Sequence, residues 1–379
     1  MQLSLTEDQA MLAKTASAFI SEHSPVERLR KLRDAKDERG YSSSLYQQMA
    51  ELGWTAIPFA ERDGGLGMGL AGAILVTEAL GRGLAPEPYL ASILMGGQAL
   101  ALGGSDAQRA SWLAPAIGGE KVLALAYQEA GSRYDACSIK TRAEAASGGY
   151  RLRGQKVQVL TGALADAYIV SARSAGADDA REGVSLFIVP AGTPGLKVTR
   201  QWRIDSQNTA LLELDVQVPE TALVGKLGAS AVLLENVIDR ATVGLAGEML
   251  GGMSEAFDRT VQYLKERKQF GVLIGTFQAL KHRAAKMFIE IELARSAVMA
   301  AARAIDEDLP DARLLVSAAK ARVSDAYVLI ANEAVQMHGG IGMTDEHEIG
   351  FFMKRARVCE LSFGDAAFHR DRYARLSQY

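Results

Sequence analysis

The segment LLELDVQV, residues 211–218, alternates apolar and polar side chains from its second position onward. A period of two is typical of a β-strand with one buried face. Residues 150–160 alternate in the same way, and residues 167–172 and 184–189 are short apolar runs. No helical pattern separates these runs, so they predict an antiparallel β domain rather than βαβ units.

Helical periodicity of the apolar residues occurs on both sides of this domain. The N-terminal patterns predict helices that begin after Thr6, cover residues 43–52 and 70–80, and cover residues 106–113, where Pro115 ends the last one. The C-terminal patterns predict helices over residues 232–268, 277–306 and 311–338, and a final helix after Phe351.

Long helices joined by short loops indicate a bundle. The predicted fold class is therefore α+β in three domains. These are an N-terminal α-helical domain (residues 1–120), a middle antiparallel β domain (121–226) and a C-terminal four-helix bundle (227–379).

Composition excludes several functional classes. With 379 residues, 48% of them hydrophobic, and a net charge of −3, the chain is not intrinsically disordered. Its 42 basic and 45 acidic residues lack the basic excess of a nucleic-acid-binding protein. Two cysteines and five histidines show no spacing typical of a metal site or a disulfide framework. We see no secretion signal and no membrane-spanning run, and expect a soluble cytoplasmic protein.

One motif invites a misleading interpretation. Gly67-Met-Gly69-Leu-Ala-Gly72 matches the dinucleotide-binding pattern GxGxxG by letter. That pattern requires a preceding strand in a βαβ unit, and the surrounding region is helical. We interpret it as a glycine-rich loop between helices.

Two further motifs carry chemistry. In Glu266-Arg-Lys-Gln-Phe-Gly271, the basic residues and the glycine suit the end of a helix, but the planar guanidinium of Arg267 also suits a phosphate. In the segment Gln336-Met-His-Gly-Gly340, the glycines end a helix and also permit close approach of a ligand. We interpret His338 as a packed, helix-terminal histidine.

ERKQFG, then a helix, then QMHGGIGMT, at the end of an α–β–α chain of this length, resembles the acyl-CoA dehydrogenase family. The resemblance extends over nearly the whole chain and includes the SLTEDQ start, the ELGW…GGLG loop and the EALGRG helix. The FGDA segment (residues 363–366) and Ser132-Arg-Tyr-Asp135 resemble more closely the small subunits of pimeloyl-CoA-type dehydrogenases.

Members of this family are flavoproteins, usually tetramers, with FAD extended at a dimer interface. The resemblance implies that Arg267, Phe270, Gly271, Gln278, Gln336, Gly339 and Gly340 hold the adenine diphosphate half of the FAD that is bound mainly by the neighbouring subunit. On the flavin side it implies contacts from Ser132, in an altered version of the family's TEPxxGSD segment, and from Thr161. Thr161 stands one position after the family's Trp-Ile-Thr, which here is Gln158-Val-Leu160.

The implied reaction is the α,β-dehydrogenation of an acyl-CoA thioester to a 2,3-enoyl-CoA. A carboxylate removes the weakly acidic α hydrogen, hydrogen bonds stabilise the enolate oxygen, and the β hydrogen leaves as hydride to the flavin. The electrons then pass to an electron-transfer flavoprotein.

The position of the carboxylate is the open question. Aligning residues 354–357 with the family's RDAR places Phe363 at the usual glutamate. A second family location, on the middle bundle helix, falls on Ala241 without gaps. Asp239 fits only after a two-residue shift, which rotates a helix by about 200°. We therefore name Asp239 and Asp365 as candidate bases, with an ion pair in the helix and a helix N-cap as their respective alternatives.

Two hypotheses follow. One is an active dehydrogenase with a relocated carboxylate. The other is a non-catalytic partner in an α2β2 enzyme whose homologous subunit carries the glutamate, which loss of both family carboxylates favours. Phe363 would then fill the acyl cavity. A flavin oxidase or monooxygenase on the same fold is a further alternative. The expected substrates are CoA thioesters of dicarboxylic, cyclic or steroid-derived acyl chains.

Overall fold

The computed structural model describes residues 4–379, which form two compact units. The first unit comprises residues 4–35, 69–85 and 242–379 and is largely helical. The second comprises residues 36–68 and 86–241 and contains the large β-sheet. The three sequence domains stay a prediction.

The helices begin and end as follows: α1 Glu7–His23, α2 Val26–Asp34, α3 Ser43–Glu51, α4 Gly69–Arg82, α5 Gln98–Gly103, α6 Asp106–Gln108, α7 Ala114–Ile117, α8 Ala231–Glu266, α9 Gln278–Asp306, α10 Ala312–His338, α11 Ile349–Leu361 and α12 Ala366–Leu376. Wider π-helical turns at Tyr89–Gly97 and Arg109–Leu113 lead into α5 and α7.

The strands are β1 Leu123–Ala126, β2 Arg142–Ala146, β3 Gly149–Leu160, β4 Ala167–Arg173, β5 Val184–Pro190, β6 Leu196–Trp202, β7 Asn208–Pro219, β8 Leu223–Val224, β9 Lys268–Gln269 and β10 Val272–Leu273.

The predicted long helices are present, with boundaries within two residues of the sequence prediction for α8, α9 and α10. Thr6 caps α1 as expected: its hydroxyl accepts from the Gln9 N–H, and the Gln9 side chain accepts from the Thr6 N–H. The predicted end before Pro115 is wrong. The helix continues to Ile117, because the π-helical turn before α7 already displaces the hydrogen-bond register around the residue that lacks an N–H.

In the first unit, glycines bring two helices into backbone contact. A Cβ on Gly251 of α8 would lie 1.8 Å from the main-chain oxygen of Glu78, and one on Gly81 of α4 would lie 1.9 Å from that of Glu248. Only glycine allows such an approach. Around this crossing, α4 also packs on α1 and α9, and α10 packs against α9, α11 and α12. The predicted final helix is two helices, α11 and α12, separated by a turn at Phe363 and Gly364.

In the second unit, eight strands form one sheet in the order β6-β7-β3-β2-β4-β5-β8, with β1 beside β4. Most neighbours are antiparallel, as the alternating pattern predicts, whereas β1 and the start of β2 pair with β4 in parallel. Its core is formed by side chains such as Leu152, Val170, Phe187 and Leu212. Strands β3 and β7 bury one face in this core, whereas β4 and β5 are buried along almost their whole length, and the end of the sheet near Thr161 carries the loops described below.

Within residues 4–379, no helix is long and apolar enough to cross a membrane. The same residues contain no group of histidine, cysteine or acidic side chains placed to hold a metal ion.

Candidate active site

The ERKQFG motif forms a small exposed hairpin directly after α8. Its strands are β9 and β10, and its turn holds Phe270 and Gly271 at φ +56° and +81°. Phe270 is 91% exposed, and its ring meets the Phe277 ring in an edge-on arrangement with centroids 6.1 Å apart. Arg267 is exposed at the base of the hairpin. An aromatic ring and a guanidinium are thus presented to the outside on a rigid turn.

Gln278 is exposed at the first position of α9, directly after this hairpin. The N-cap residue, Phe277, makes no side-chain capping hydrogen bond. A helix that begins without a capping side chain leaves its first N–H groups to other acceptors, and phosphate oxygens are suitable ones.

The second motif lies at the end of α10. Gln336 is exposed in its last turn, and Gly339 has φ +64°. A Cβ built on Gly339 or on Gly340 would meet no atom within 4 Å, so this stretch of backbone is open to a ligand.

Stacked rings bring the two motifs to the same end of the first unit. The Tyr263 ring, near the end of α8, stacks on His338, near the end of α10, at 4.5 Å. His338 is buried, its Nδ1 lies 2.7 Å from the Ala334 oxygen, and burial lowers its pKa. It is therefore a packed histidine near the end of a helix, as interpreted from the sequence. The exposed guanidinium, aromatic ring and amides around it fit the diphosphate and adenine of FAD.

The GxGxxG segment forms no nucleotide site. The two carboxylate oxygens of Asp306, at the end of α9, accept the N–H groups of Leu70 (2.7 Å) and Ala71 (2.8 Å) at the start of α4. A Cβ on Gly69 would lie 2.5 Å from that carboxylate. The helix terminus that a phosphate would need is thus occupied by the chain's own aspartate, as the loop interpretation predicts.

The predicted flavin-side residues lie at one edge of the β-sheet. Ser132 is buried and closes a turn: its hydroxyl donates to the Glu129 oxygen at 2.9 Å and accepts from the Glu129 N–H at 3.3 Å. Thr161 follows β3 with φ +56°, and its N–H donates to the Asn208 oxygen. Both stay predicted cofactor contacts.

Sequence reasoning missed an ion pair beneath this turn. Lys156 of β3 is fully buried, and its Nζ lies 2.6 Å from Oε1 of Glu129. The period of two places Lys156 on the same face as buried Leu152, so the strand pattern itself signals a buried lysine. A buried lysine needs a partner, and Glu129 is the one it has.

The position aligned with the family's glutamate lies between α11 and α12. Phe363 is 7% exposed and has φ +58°, an uncommon conformation for a non-glycine residue. Buried Lys320 donates to the oxygens of Gly364 (2.8 Å) and Glu360 (3.0 Å) and to the Ser324 hydroxyl (3.1 Å). Burial lowers the pKa of Lys320 to about 8. The buried Lys320 amine thus holds the turn at Phe363 and Gly364 in place through main-chain oxygens.

The two candidate bases differ in their surroundings. Asp365 is the N-cap of α12, where its Oδ1 accepts the Phe368 N–H at 2.8 Å. This is the capping role that the sequence offers as the alternative. Asp239 is 5% exposed and lies on the part of α8 that belongs to the second unit.

The segment that is aligned with the family's RDAR contains a buried ion pair. Arg355 is buried, and its Nε lies 2.8 Å from Oε1 of Glu248.

Comparison with known proteins covers the whole fold. Residues 6–120, 124–216 and 231–377 match the family models described as acyl-CoA dehydrogenase N-terminal, middle and C-terminal domains. A short-chain specific acyl-CoA dehydrogenase of Megasphaera elsdenii is 30% identical, over 87% of this chain and 88% of the relative.

Two solved structures show the same architecture over 100% of both chains. Butyryl-CoA dehydrogenase from Megasphaera elsdenii superposes with a TM-score of 0.91 at 27% identity. A chain of the ChsE4-ChsE5 complex from Mycobacterium tuberculosis superposes with a TM-score of 0.89 at 28% identity. The predicted three-part α+β fold is confirmed by these matches.

Proposed function

The chain belongs to the acyl-CoA dehydrogenase family, and from this membership we propose that it is one subunit of an α2β2 enzyme whose homologous subunit supplies the catalytic carboxylate. The activity is FAD-dependent α,β-dehydrogenation of an acyl-CoA thioester. The observation that carries the subunit proposal is the buried Phe363 at the family's glutamate position.

A phenyl ring at this position changes what the site can do. It has no group that accepts a proton, and its volume takes space that the resemblance assigns to the acyl chain. Lys320 and the capping Asp365 fix the turn that carries Phe363. A small backbone shift therefore does not bring a different side chain into the position of the phenyl ring. These features support a chain that binds cofactor and leaves proton abstraction to its partner.

Binding of FAD falls to the exposed residues at the ends of α8 and α10. The Arg267 guanidinium would pair with the diphosphate of the FAD bound mainly by the neighbouring subunit, the Phe270 ring would meet its adenine, and the amides of Gln278 and Gln336 would donate to the remaining oxygens. When bound, FAD accepts the hydride from the β carbon of the thioester. Ser132 and Thr161 border the flavin ring at the edge of the β-sheet.

A second candidate function is a self-sufficient dehydrogenase with Asp239 as its base. Its burial on α8 favours this reading, because a carboxylate beside a thioester must be shielded from water to remove an α proton. Asp365 supports it less well, since one of its oxygens is engaged in capping α12.

Partners and substrate follow from the same family. The ChsE4-ChsE5 complex, to which the fold is similar, is named as an assembly of two components, which supports a heteromeric arrangement here. We propose an electron-transfer flavoprotein as the electron acceptor, acyl-CoA thioesters of dicarboxylic, cyclic or steroid-derived acids as substrates, and the cytoplasm as the location.

The test is an anaerobic titration of the purified chain with acyl-CoA thioesters while its flavin absorbance is followed. Flavin that stays oxidised until a homologous subunit is added is the expected result. Bleaching of the chain alone would overturn the partner proposal and favour Asp239. Substrate-dependent peroxide formation in air would instead indicate the oxidase alternative.

A further inference from the structure

We propose that Glu129 and Lys156 are a positioning pair for the flavin, which fixes the Gln128–Ser132 loop at the sheet edge and sets the charge balance beneath the flavin ring. The inference rests on the proposed function, because it requires FAD at this edge. Glu129 lies in the altered TEPxxGSD segment, whereas Lys156 lies outside every motif named above.

The pair is buried and links three parts of the sheet. Lys156 Nζ donates to Oε1 of Glu129 at 2.6 Å and to the hydroxyl of Ser171, on β4, at 2.9 Å. The Lys156 side chain is completely enclosed, and that of Glu129 is 6% exposed. Each charge favours ionisation of the other, but burial is the larger effect on the ammonium and lowers the pKa of Lys156 to about 8.

Glu129 accepts three further hydrogen bonds, all from residues at the start of β2. Its Oε2 accepts the Lys140 N–H at 2.7 Å, and its Oε1 accepts the N–H (3.1 Å) and the hydroxyl (2.6 Å) of Thr141. Burial opposes ionisation of Glu129, but Lys156 and these donors outweigh it and hold the pKa of the carboxyl below its usual range. The carboxylate therefore joins the loop to β3 and to the residues directly before β2.

A β-bulge in β3 holds the backbone of the same loop. The register between β3 and β7 shifts between Lys156 and Val159, and the Val157 N–H donates instead to the Gln128 oxygen at 2.9 Å. Bulges of this kind redirect side chains and are frequent near active sites. Two adjacent residues of the loop are thus held in place, Gln128 through its backbone oxygen and Glu129 through its side chain.

The placement points to function rather than to stability alone. Replacing a buried ion pair by apolar residues of similar volume is often neutral or stabilising, so stability does not require this pair. Its loop ends at Ser132, and its strand leads to Thr161, the two residues predicted to border the flavin ring. A charge change at the pair therefore acts on the site where the flavin gains negative charge on reduction.

The experiment measures the flavin reduction potential of the full chain, assembled with its homologous subunit if FAD binding requires it. Lys156→Met removes the cation and should make the flavin harder to reduce. Glu129→Gln removes the anion and should make it easier to reduce. We expect each to change the ratio of reduced to oxidised flavin at a fixed potential by roughly threefold or more.

Matched controls come from the exposed pair of Arg151 and Asp215, on β3 and β7 of the same sheet. Arg151→Gln and Asp215→Asn should leave the potential unchanged. The double variant Lys156→Met/Glu129→Gln should return it towards the wild-type value. If the unpaired Lys156→Met fails to fold, Glu129→Gln carries the test, and an unchanged potential in that variant overturns the inference.

Shifts of opposite sign in the two single variants support the inference. Potentials and spectra equal to those of the controls overturn it, as do shifts of the same sign that follow only a loss of thermal stability. If the wild-type protein binds no FAD in any assembly, the proposed function itself is refuted. This outcome distinguishes failure of the proposed function from failure of the inference about Glu129 and Lys156.

Discussion

The imidazole of His369 donates a hydrogen bond from Nε2 to the main-chain oxygen of Phe363, at 3.1 Å. Because Lys320 binds the next carbonyl, that of Gly364, at 2.8 Å, two buried side chains hold the turn from the bundle side. The backbone at Phe363, which the sequence comparison predicts to be the family's glutamate position, is therefore firmly defined.

This geometry makes Phe363→Glu a test of the partner proposal. The substitution places a carboxylate on a turn that is already fixed, where it can accept an α proton. With FAD bound, we expect the variant chain alone to bleach in the anaerobic acyl-CoA titration, whereas the wild-type chain stays oxidised. Phe288→Glu, at an exposed position on α9, is the matched control. If the variant folds and binds flavin but its flavin stays oxidised, the proposal that Phe363 occupies the position of the catalytic base is contradicted.

Asp239→Asn separates the two candidate functions. If the homologous subunit carries the base, the turnover of the assembled complex stays within about twofold of the wild type, because a buried amide replaces a group with no catalytic role. If Asp239 is the base, turnover collapses while the flavin content is unchanged. Steady-state rates and flavin absorbance of the complex decide, with Asp106→Asn as a solvent-exposed control.

Arg267→Ala tests the diphosphate site. A hydrogen bond to a charged group contributes about 1.5–3 kcal/mol, so the variant should bind FAD roughly 10- to 100-fold more weakly. The measurement is flavin retained after gel filtration, followed by titration of the apoprotein with FAD. Lys265→Ala removes an equal charge from an exposed position two residues earlier and should retain flavin. Full occupancy in Arg267→Ala would refute the assigned role.

The long helices and the main strands were predictable because each has one consistently apolar face. In β3 and β7, alternation survives in the sequence because one face packs into the common core. Strand β6 was missed, since its residues are exposed or half-buried along its whole length and its apolar–polar alternation lasts only from Leu196 to Thr199. The short strands β1 and β8 are likewise too brief to show a period.

The site was predictable in part. Arg267 and Phe270 belong to a local motif, so the family resemblance could assign them a cofactor role, which stays a prediction. Lys320 and His369 did not stand out, because their partners are main-chain oxygens of residues elsewhere in the sequence, at Gly364 and Phe363. Contacts of this type depend on helix packing, which no local pattern records.

Two substitutions of Asp365 distinguish capping from catalysis. Asparagine caps a helix about as well as aspartate, whereas alanine does not and costs about 1 kcal/mol. We therefore expect Asp365→Asn to keep both stability and activity, and Asp365→Ala to lower the free energy of unfolding by about that amount. Urea denaturation and turnover of the complex provide the two readouts. Loss of turnover in the stable Asn variant would instead identify Asp365 as a base.

His369 should make the protein less stable in acid. Burial, with the nearby positive charge of Lys320, lowers the pKa of His369 to about 3, and its Nδ1 has no hydrogen-bond partner within residues 4–379. In the unfolded chain a histidine has a pKa of about 6.5, so between these values the unfolded state binds a proton that the folded state does not. The free energy of unfolding therefore falls as the pH drops below about 6.5, by up to about 1.4 kcal/mol per pH unit for this group.

The variant His369→Gln isolates this contribution, because its amide can still donate to the Phe363 oxygen but does not titrate. Urea denaturation between about pH 7 and pH 5 should show a shallower loss of stability for His369→Gln than for the wild type. The dependence of stability on pH that remains in His369→Gln includes contributions from His338 and His347, because burial also lowers their pKa values. His282→Gln, at an exposed position on α9, should retain the wild-type slope. Equal slopes in all three proteins would mean that His369 is protonated in the folded state, and that the turn below Phe363 is more open to water than its contacts indicate.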